Sequence, residues 1–535
     1  MTTTTTRPFP TQTAGLPQAL PPERVDLADG QEFALRIGPV AKQVGDSTVR
    51  MLAYNGTIPG PTLWVQQGSE LTVHAHNEGD LEATVHWHGL RLENRFDGTT
   101  ETQPPMPIGG SFQYRLQFPD PGVYWYHPHI REDYGQEMGL YGNIVVVPAD
   151  PTYWPRAHRE LTLTLDDILL EDGRVAPFSP LESNYTAMGR FGNVLLAQGE
   201  TEASLTARRG EVVRFYLTDT ANTRVFNVGF RGARMKRMGG DSGRVEREEF
   251  VESVILAPSE RAVVDVLFDQ PGVVELEHRT PNRTYRLGTI RVLDAAAEPN
   301  LAEEFARLRV NSDLVAERNR IRSALDAEPT KTLALVAEMN LDQSGEQAYA
   351  CPMHPEIRSD HADRCPKCHM KLVPARLVDH TGGADHHHSH HQHGGMQQQS
   401  DGIEWEDDMV AVNRLTTPAN TRWKLIDRAT GSEGAAIDWT FRVGDQVKIR
   451  LVNEMESDHP MHHPFHIHGA GRFLVLSRNA KPETNLVWKD TVLVPTGQVV
   501  DILLDITNPG RWMAHCHIAE HHESGMMLSF DVEGA

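Results

Sequence analysis

The sequence predicts an all-β fold of three Greek-key β-sandwich domains. One observation is a segment that occurs three times, in which a glycine precedes alternating apolar and polar residues, as in a strand with one buried face. Each copy is followed by a Pro-Gly turn and another strand. The 34 prolines and 43 glycines are spread along the chain, which is typical of many short strands joined by turns. The copies begin at Gly68, Gly210 and Gly444, and the turns lie at Pro121-Gly122, Pro271-Gly272 and Pro509-Gly510.

The repeats divide the chain into domains. We place domain 1 at residues 35–150, domain 2 at 155–295 and domain 3 at 330–535, after an N-terminal tail of residues 1–34. Residues 296–329 have helical composition and spacing, so we expect a helical linker between domains 2 and 3. Residues 346–400 look like an insertion in domain 3, flanked by strand-like segments at 332–337 and 408–413, and we call them the insert.

Composition excludes several classes of protein. The 73 acidic residues outnumber the 51 basic ones and give a net charge of −22, which argues against a nucleic-acid partner because phosphates favour clustered Lys and Arg. No stretch approaches the roughly 18 uninterrupted apolar residues of a membrane span, so we expect no membrane partner. Four cysteines in 535 residues are too few for a disulfide-built fold.

The first residues, MTTTTTRPFPTQTAG, contain neither an apolar h-region nor a twin-arginine pair. They therefore predict no secretory signal. The expected location is either the cytoplasm or, for a mature form whose leader was removed, a secreted or periplasmic one.

The 27 histidines are strongly clustered, which points to metal binding. Neighbouring pairs have the spacing His-x-His, and on a strand residues i and i+2 point to the same face, so each pair presents two imidazoles together. Eight such imidazoles are too many for one ion and suit a cluster at a domain interface. The motifs are His86-Trp87-His88-Gly89, His127-Pro128-His129, His463-Pro464-Phe465-His466-Ile467-His468-Gly469 and His515-Cys516-His517.

Cys516 points to the opposite face of its strand from His515 and His517. There it could meet His463, His521 and Met526. Two imidazoles, one thiolate and a weak axial thioether form the ligand set of blue-copper electron-transfer sites. The chain therefore predicts a one-electron copper site linked through adjacent histidines to a cluster held by imidazoles alone.

These motifs closely resemble those of the three-domain, laccase-like bacterial multicopper oxidases. The resemblance implies cupredoxin-like domains and four copper ions. Single electrons would enter at type 1 copper, and O2 would be reduced to water at a trinuclear cluster of one type 2 and two type 3 ions. By this resemblance the ligands are His463, Cys516, His521 and Met526 for type 1, His86 and His466 for type 2, and His88, His127, His129, His468, His515 and His517 for type 3.

Domain 2 serves as an internal control, because its corresponding positions read Phe226-Asn227-Val228-Gly229 and Glu277-His278-Arg279. We therefore expect it to be a copper-free spacer. His74-Ala-His76 also has the His-x-His spacing, but it lacks matching partners and we interpret it as a surface pair. His459 imitates the start of the third motif, yet only the register from His463 supplies all of it.

Reduction of O2 to water needs four protons, and a carboxyl near the cluster could supply them. Asp97 matches a family position with this role. Family members often carry Glu one or two places after the last type 1 histidine. Here His522 takes the first place and Glu523 the second, so we name Asp97 and Glu523 as candidate relays.

The insert contains a second metal motif. Cys351-x2-His354 and Cys365-x2-Cys368 form a four-ligand set for Zn²⁺ or Cu(I). The segment resembles the small heavy-metal-binding domain of metal transporters, which usually has Gly where His369 stands, so an extra ligand is conceivable. Residues 385–393 add a His-rich tract of the kind that binds metals weakly.

The leading functional hypothesis is oxidation of phenols or other small aromatic donors with O2, by a monomer. An alternative is a metallo-oxidase for Cu(I), or for Fe(II) or Mn(II), in copper tolerance. The insert favours it, as do Met455 and Met461, whose thioethers suit Cu(I) although they could equally be packing residues. The third hypothesis, a copper storage or chaperone protein without turnover, is disfavoured because storage does not need Cys516 joined to a histidine cluster.

Overall fold

The computed structural model describes residues 7–341, 348–379 and 401–534. Strands dominate, and they form three successive pairs of sheets, each pair enclosing its own hydrophobic core. The predicted all-β fold of three cupredoxin-like sandwiches is therefore confirmed. No helix within these residues is both long and apolar enough to cross a membrane.

Domain 1 consists of one sheet in the order β1-β4-β9-β8-β6 and another in the order β3-β2-β5-β7. A short helix, α1 (Glu132–Gly135), and a 3-10 turn, Asn94–Phe96, lie outside the sheets. The strands are β1 (Arg24–Leu27), β2 (Glu32–Val44), β3 (Ser47–Tyr54), β4 (Thr62–Gln66), β5 (Glu70–Asn77), β6 (His86–His88), β7 (Ser111–Gln117), β8 (Gly122–His127) and β9 (Gly142–Val147).

Domain 2 has sheets in the orders β13-β10-β15-β20-β17-β18 and β14-β22-β21-β16-β19, with a small β11-β12 hairpin. Its strands are β10 (Arg159–Ile168), β11 (Leu170–Glu171), β12 (Arg174–Val175), β13 (Val194–Ala197), β14 (Ala203–Arg209), β15 (Glu211–Asp219), β16 (Phe226–Arg231), β17 (Arg234–Gly240), β18 (Gly243–Val251), β19 (Val254–Leu256), β20 (Arg261–Phe268), β21 (Gly272–Arg279) and β22 (Thr284–Ala296).

The helical linker consists of three short helices, α2 (Ala302–Ala306), α3 (Ser312–Arg320) and α4 (Arg322–Asp326). It packs against both neighbouring domains. Leu314 and Ile321 lie in one cluster with Leu474 and Leu503 of domain 3, and Arg318 forms an ion pair with Glu246 of domain 2.

Domain 3 has sheets in the orders β27-β23-β29-β34-β31-β32 and β28-β36-β35-β30-β33. Its elements outside the insert are β23 (Lys331–Met339), α6 (Val410–Asn413), β27 (Thr421–Asp427), the 3-10 turn Gly434–Ala436, β28 (Trp439–Arg442), β29 (Gln446–Asn453), β30 (His463–Ile467), β31 (Gly471–Arg478), β32 (Lys481–Pro482), β33 (Thr491–Val494), β34 (Val499–Ile506), β35 (Gly510–Cys516), α7 (Ala519–Glu523) and β36 (Met527–Glu533).

The strands that follow the Pro-Gly turns occupy matching places in the three domains. They are β8, β21 and β35, and each pairs antiparallel with the strand of the preceding motif, namely β6, β16 and β30. This pairing sets His86 opposite His127 in domain 1 and His466 opposite His515 in domain 3. The strand register thus gathers histidines that are distant in sequence.

The described part of the insert is a three-stranded sheet of β24 (Tyr349–Ala350), β25 (Arg358–Ser359) and β26 (Val373–Pro374), followed by α5 (Ala375–Asp379). The predicted His-rich tract at 385–393 lies outside the described residues. The segment at 408–413, expected to resemble a strand, instead contains the single-turn α6. Its first turn is stabilised by Asp407, which accepts hydrogen bonds from the Met409 backbone N–H and the Asn413 amide.

Candidate metal centres

All eight imidazoles of the His-x-His pairs meet between domains 1 and 3, and none is more than 6% exposed. Strand β6 supplies His86 and His88, and β8, β30 and β35 supply the first residue of each of the other three pairs, whose second residue lies just past the strand end. All eight imidazoles belong to three groups, two of which share His88, and in each group the possible ligand atoms lie within 4.8 Å of one another. The groups are His86, His88 and His466; His88, His127 and His517; and His129, His468 and His515.

Most of these rings have one nitrogen held by the protein and the other without such a contact. The Nδ1 atoms of His86, His127, His466 and His515 donate to backbone carbonyl oxygens at 2.7–2.9 Å. Among the described residues, the Nε2 atoms of His86, His127, His129 and His466 have no hydrogen-bond partner. Buried ring nitrogens are costly when left unpaired, and metal-ligating histidines characteristically anchor the other nitrogen in this way. The residues present therefore fit bound metal ions.

The protonation of these rings supports the same conclusion. Burial lowers the pKa of His86 and of His515 to about 3, so both are neutral near pH 7. A neutral imidazole has a lone pair available for a metal. His468 Nε2 and His515 Nε2 lie only 2.9 Å apart, which places both close to one common ligand position.

His88 is oriented by residues outside the cluster. Its Nε2 atom lies 3.0 Å from Asp490 Oδ1 and 3.0 Å from Thr491 Oγ1. Asp490 in turn accepts a hydrogen bond of 2.7 Å from Arg261 Nη1, on β20 of domain 2. This network leaves His88 Nδ1 available to the cluster. Motif spacing could not predict the network, because its members come from three domains.

A second candidate site lies on the opposite face of β35. Cys516 Sγ is 3.5 Å from His463 Nδ1 and 3.7 Å from His521 Nδ1, and these two nitrogens are 3.3 Å apart. Met526 is fully buried, and its carbonyl accepts the Cys516 backbone N–H. Burial raises the pKa of the Cys516 thiol, so metal binding at neutral pH would displace its proton.

Trp423 covers this second site. Its indole lies 4.0 Å from the His521 ring and 4.8 Å from the His463 ring, measured between ring centroids. The side chain is buried, and its Nε1 donates to the Thr186 carbonyl. The ring therefore excludes water from two of the proposed ligands.

Asp97, the first candidate relay, touches the histidine cluster. Its Oδ2 atom accepts a hydrogen bond of 2.8 Å from His468 Nδ1, and its carbonyl holds His86. Burial raises the pKa of Asp97 to about 6. The loop is fixed by Gly98 at φ +84°, where a Cβ would lie 1.9 Å from the Val85 carbonyl oxygen.

Glu523, the second candidate, is half-buried and accepts the Glu132 backbone N–H at 3.3 Å. Sequence reasoning missed Glu132 itself, whose Oε1 lies 3.2 Å from His129 Nδ1 and 3.4 Å from His522 Nδ1. Glu132 is fully buried, which raises its pKa to about 7. Its place three residues after His129, at the start of α1, was the available signal.

Histidines interpreted as non-ligands have other surroundings. His74 is exposed beside Glu32, and His76 pairs with Ser111. His278 of domain 2 uses Nδ1 to accept the Asn227 backbone N–H.

In the insert, the Cys351, His354, Cys365 and Cys368 ligand atoms all lie within 4.8 Å of one another. A hydrogen bond from Cys368 lowers the pKa of Cys351, with an Sγ–Sγ distance of 3.6 Å. His369 has φ +64°, in the left-handed region that favours glycine, and its side chain is exposed.

The chain is similar to known proteins along most of its length. Models of the multicopper oxidase family match residues 39–151 and 406–535, and a heavy metal binding domain model matches residues 348–375. The multicopper oxidase MmcO of Mycobacterium tuberculosis is 25% identical, with 92% of this chain and 85% of that protein aligned. Laccase-7 of Arabidopsis thaliana is also 25% identical, with 90% and 88% aligned.

Solved structures show the same fold. One from Campylobacter jejuni, described as a multicopper oxidase and metallo-oxidase, has a TM-score of 0.64 at 19% identity, with 99% of each chain covered. A multi-copper oxidase from Pseudomonas thermotolerans also has a TM-score of 0.64, at 22% identity, covering 95% of this chain and all of that one.

Proposed function

This chain is a multicopper oxidase that carries a heavy-metal-binding insert, and from that premise we propose where its coppers bind and what they oxidise. When bound, copper supplies one-electron chemistry, taking electrons singly from a donor and delivering four of them to O2, which becomes water. The proposed type 1 ligands are His463, Cys516, His521 and Met526. The proposed type 2 ligands are His86 and His466, and the proposed type 3 ligands are His88, His127, His129, His468, His515 and His517.

The observation that carries this proposal is the position of Cys516. Its side chain lies with His463 and His521, while its chain neighbours His515 and His517 lie in the histidine cluster between domains 1 and 3. The two sites are therefore joined through a few covalent bonds. A storage protein does not need this connection, which favours an oxidase over a storage protein.

Protons for O2 reduction must reach a site that is closed to solvent. We assign Asp97 as the carboxyl nearest the cluster for this purpose, because it touches His468 directly. Glu523 lies farther out against the Glu132 backbone and would serve the outer part of a route.

The main proposed donor is a phenol or another small aromatic. The metallo-oxidase alternative is favoured by one specific contact: the insert binds the loop that leads into His463. Lys371 Nζ lies 3.1 Å from Asp458 Oδ2, and Arg364 lies 3.2 Å from Asp458 Oδ1. The Cys351, His354, Cys365 and Cys368 group, which would bind Zn²⁺ or Cu(I), is thus held near the type 1 residues.

Both halves of the cluster come from one chain, so we propose that a monomer suffices. Gel filtration of the copper-loaded protein tests this. Activity that elutes only with a larger species, and not with the monomer, would contradict it.

Replacing Cys516 by Ser tests the mechanism. We expect Cys516→Ser to lose the blue absorption and to stop O2 consumption, because the type 1 thiolate and the bridge are both removed. Ala514→Ser is the matched control, since it adds a hydroxyl to the same face of β35 without removing a ligand. O2 consumption by the Cys516→Ser protein would overturn the proposal.

The donor is identified by measuring O2 consumption of the copper-loaded protein with a phenol and with stabilised Cu(I), side by side. Faster turnover of the phenol would support the laccase-like function. Faster turnover of Cu(I) would support the metallo-oxidase, with the insert as its collecting arm.

A further inference from the structure

The described part of the insert is too small to be held together by its own apolar packing. Its hydrophobic cluster within residues 348–379 has four buried members, and two of them are the proposed ligands Cys351 and Cys365. Each of its three strands is two residues long. Units of fewer than about 40 residues usually need a disulfide or a metal ion to fold. An ion on the four-ligand group would therefore supply stability that this small core does not.

The four-ligand group has the features of a structural metal site. Its three thiols and one imidazole form the ligand set of a Cys3His zinc site, and their ligand atoms all lie within 4.8 Å of one another. Cys351 and Cys365 are both buried. Structural zinc sites fill all four positions with protein ligands, whereas catalytic sites keep one position open. We therefore expect a Zn²⁺ ion that stays bound to the insert.

Two of the four ligands lie in a tight loop, residues 364–371, which we call the knuckle. The Cys365 backbone N–H donates to the Met370 carbonyl at 2.8 Å, which closes the loop. Arg364 and Lys371 form a short antiparallel bridge at its two ends. An ion bound inside the knuckle therefore fixes the positions of these two basic residues.

The two ends of the knuckle hold residues 456–458 of domain 3, which we call the clamped segment. Arg364 donates to two backbone carbonyls of this segment, one of them at 2.7 Å. The Lys371 backbone N–H donates to the Asp458 carbonyl at 2.8 Å. Both basic side chains also form ion pairs with the Asp458 carboxylate. The metal ligands and the docking contacts thus belong to one short loop.

Strand β23 holds the other side of the clamped segment. The Asp458 backbone N–H donates to the Ala337 carbonyl at 3.1 Å, and the Ala337 backbone N–H donates to Ser457 Oγ at 2.7 Å. The Met339 backbone N–H donates to Asp458 Oδ2 at 3.0 Å. Strand β30 and its first residue, His463, follow shortly afterwards. The segment is therefore fixed from two sides just before a proposed type 1 ligand.

We propose that Zn²⁺ folds the insert and thereby secures the clamped segment, so that zinc occupancy regulates how firmly the type 1 site is held. Zinc is here a resident ion and not an electron donor, because Zn²⁺ has no redox chemistry. Its binding releases protons from the thiols and changes no other covalent bond in the protein. The inference rests on the proposed assignment of His463 to type 1 copper.

Replacing Cys365 by Ser tests the proposal through zinc content and amide hydrogen exchange. The copper-loaded protein is equilibrated with Zn²⁺, desalted, and analysed for zinc per chain. We expect Cys365→Ser to bind one Zn²⁺ fewer than the unmodified protein. Peptides covering residues 454–460 should exchange at least about tenfold faster, because the clamped segment then opens more easily. The blue absorption should also be lost faster to a competing chelator.

His361→Gln is the matched control, since His361 is an exposed imidazole of the insert outside the four-ligand group. It should change neither the zinc content nor the exchange at 454–460. Cys368→Ser, at a less buried ligand, covers the case in which Cys365→Ser does not fold.

The double variant Arg364→Ala, Lys371→Ala shows whether the effect passes through the ends of the knuckle. It keeps all four ligands, so we expect it to retain its zinc while residues 454–460 exchange faster. Adding Cys365→Ser to it should cause no further change at 454–460, because the connection has already been removed.

Loss of zinc without faster exchange at 454–460 would overturn the proposal, and so would an unchanged zinc content in both cysteine variants. Failure of the oxidase function would be seen differently, as absence of O2 consumption by the copper-loaded protein with every donor. The zinc content and the hydrogen exchange do not depend on that result.

Discussion

At the scale of single residues, the two ring nitrogens of most cluster histidines have different surroundings. The carbonyls of Asp97, Pro128, Asp490 and Cys516 each accept one Nδ1–H. These contacts fix the tautomer and the ring orientation of each of the four imidazoles. The site is therefore preorganised by backbone oxygens, whose positions follow from the strands that carry them.

Glu404 gives a pH dependence that is independent of the metal ligands. Burial, with the negative charges of Asp408 and Asp401, raises the pKa of Glu404 to about 7. A carboxyl with a raised pKa destabilises the fold as pH rises from its unfolded value near 4.5 through 7, because ionisation is then less favourable in the folded state. We expect Glu404→Gln to be more stable than the unmodified protein by about 1–3 kcal/mol at pH 8 and to show little difference at pH 4.5.

Calorimetric unfolding at the two pH values measures this difference. Glu303→Gln, at an exposed position of α2, is the control for loss of a negative charge. An equal gain at both pH values would show that the effect does not come from ionisation of Glu404.

The ligand types could be predicted from sequence because a strand has a period of two, so His-x-His fixes two imidazoles on one face whatever the partner strand. The residues that orient those ligands could not. Glu132 contacts His129 from a neighbouring helix, and Asp490 reaches His88 across 402 positions of the chain. The Asp490 contact depends on how the domains dock, which no local pattern encodes, whereas the three-residue spacing of His129 and Glu132 becomes informative only once the short helix α1 is known.

At the scale of elements, the strands after Pro-Gly turns were predictable, whereas the linker was only partly so. The composition of the linker indicates helices, but residues 309–311 are not helical and instead pair with the edge of β18. The Glu248 backbone N–H donates to the Arg309 carbonyl, and the Asn311 backbone N–H donates to the Glu246 carbonyl. The exposed edge of β18 determines this conformation, and that edge lies about sixty residues earlier in the chain.

Two basic side chains hold the insert against domain 3. Arg364 and Lys371 of the insert both form ion pairs with Asp458 of domain 3. Arg364 also donates to the Glu456 and Ser457 carbonyls. We expect the double variant Arg364→Ala, Lys371→Ala to release residues 349–374, raising their amide hydrogen exchange while the strands of domain 3 stay protected.

Hydrogen exchange with mass spectrometry resolves these segments. Lys367→Ala is the control, because Lys367 is exposed and pairs with Glu356 within the insert. Exchange that is the same in the double variant and the control would mean that apolar packing around Met370 holds the insert without help from these ion pairs.

At the scale of the whole molecule, the three domains meet at Asp490. Asp490 belongs to domain 3. Arg261 of domain 2 donates hydrogen bonds to the Asp490 carboxylate and to the Val123 carbonyl of domain 1. His88 of domain 1 contacts the same carboxylate. All three side chains are buried. Domain 2, in which we propose no ligand of the histidine cluster, thus contacts both of the other domains through Arg261.

We expect Arg261→Gln to lower the copper content of the cluster while the type 1 blue absorption remains, because Asp490 loses its buried partner and no longer orients His88. Arg214→Gln is the matched control. It also breaks a buried ion pair, with Asp265, but within domain 2. Both variants should lose about 3–5 kcal/mol of stability.

Copper per chain, determined by elemental analysis, separates the two variants. A full complement of copper in folded Arg261→Gln protein would show that domain 2 stabilises the structure without positioning the cluster.

The cluster histidines come from two regions of the chain, residues 86–129 and 466–517, and the strand that carries Cys516 is made long after the first of these regions. A ribosome must have synthesised the chain as far as His517 before the complete set of imidazoles can exist. The complete set of imidazoles therefore assembles only once domains 1 and 3 have both been made and have docked. The amount of copper bound per chain should therefore depend on the fraction of molecules in which domains 1 and 3 have docked.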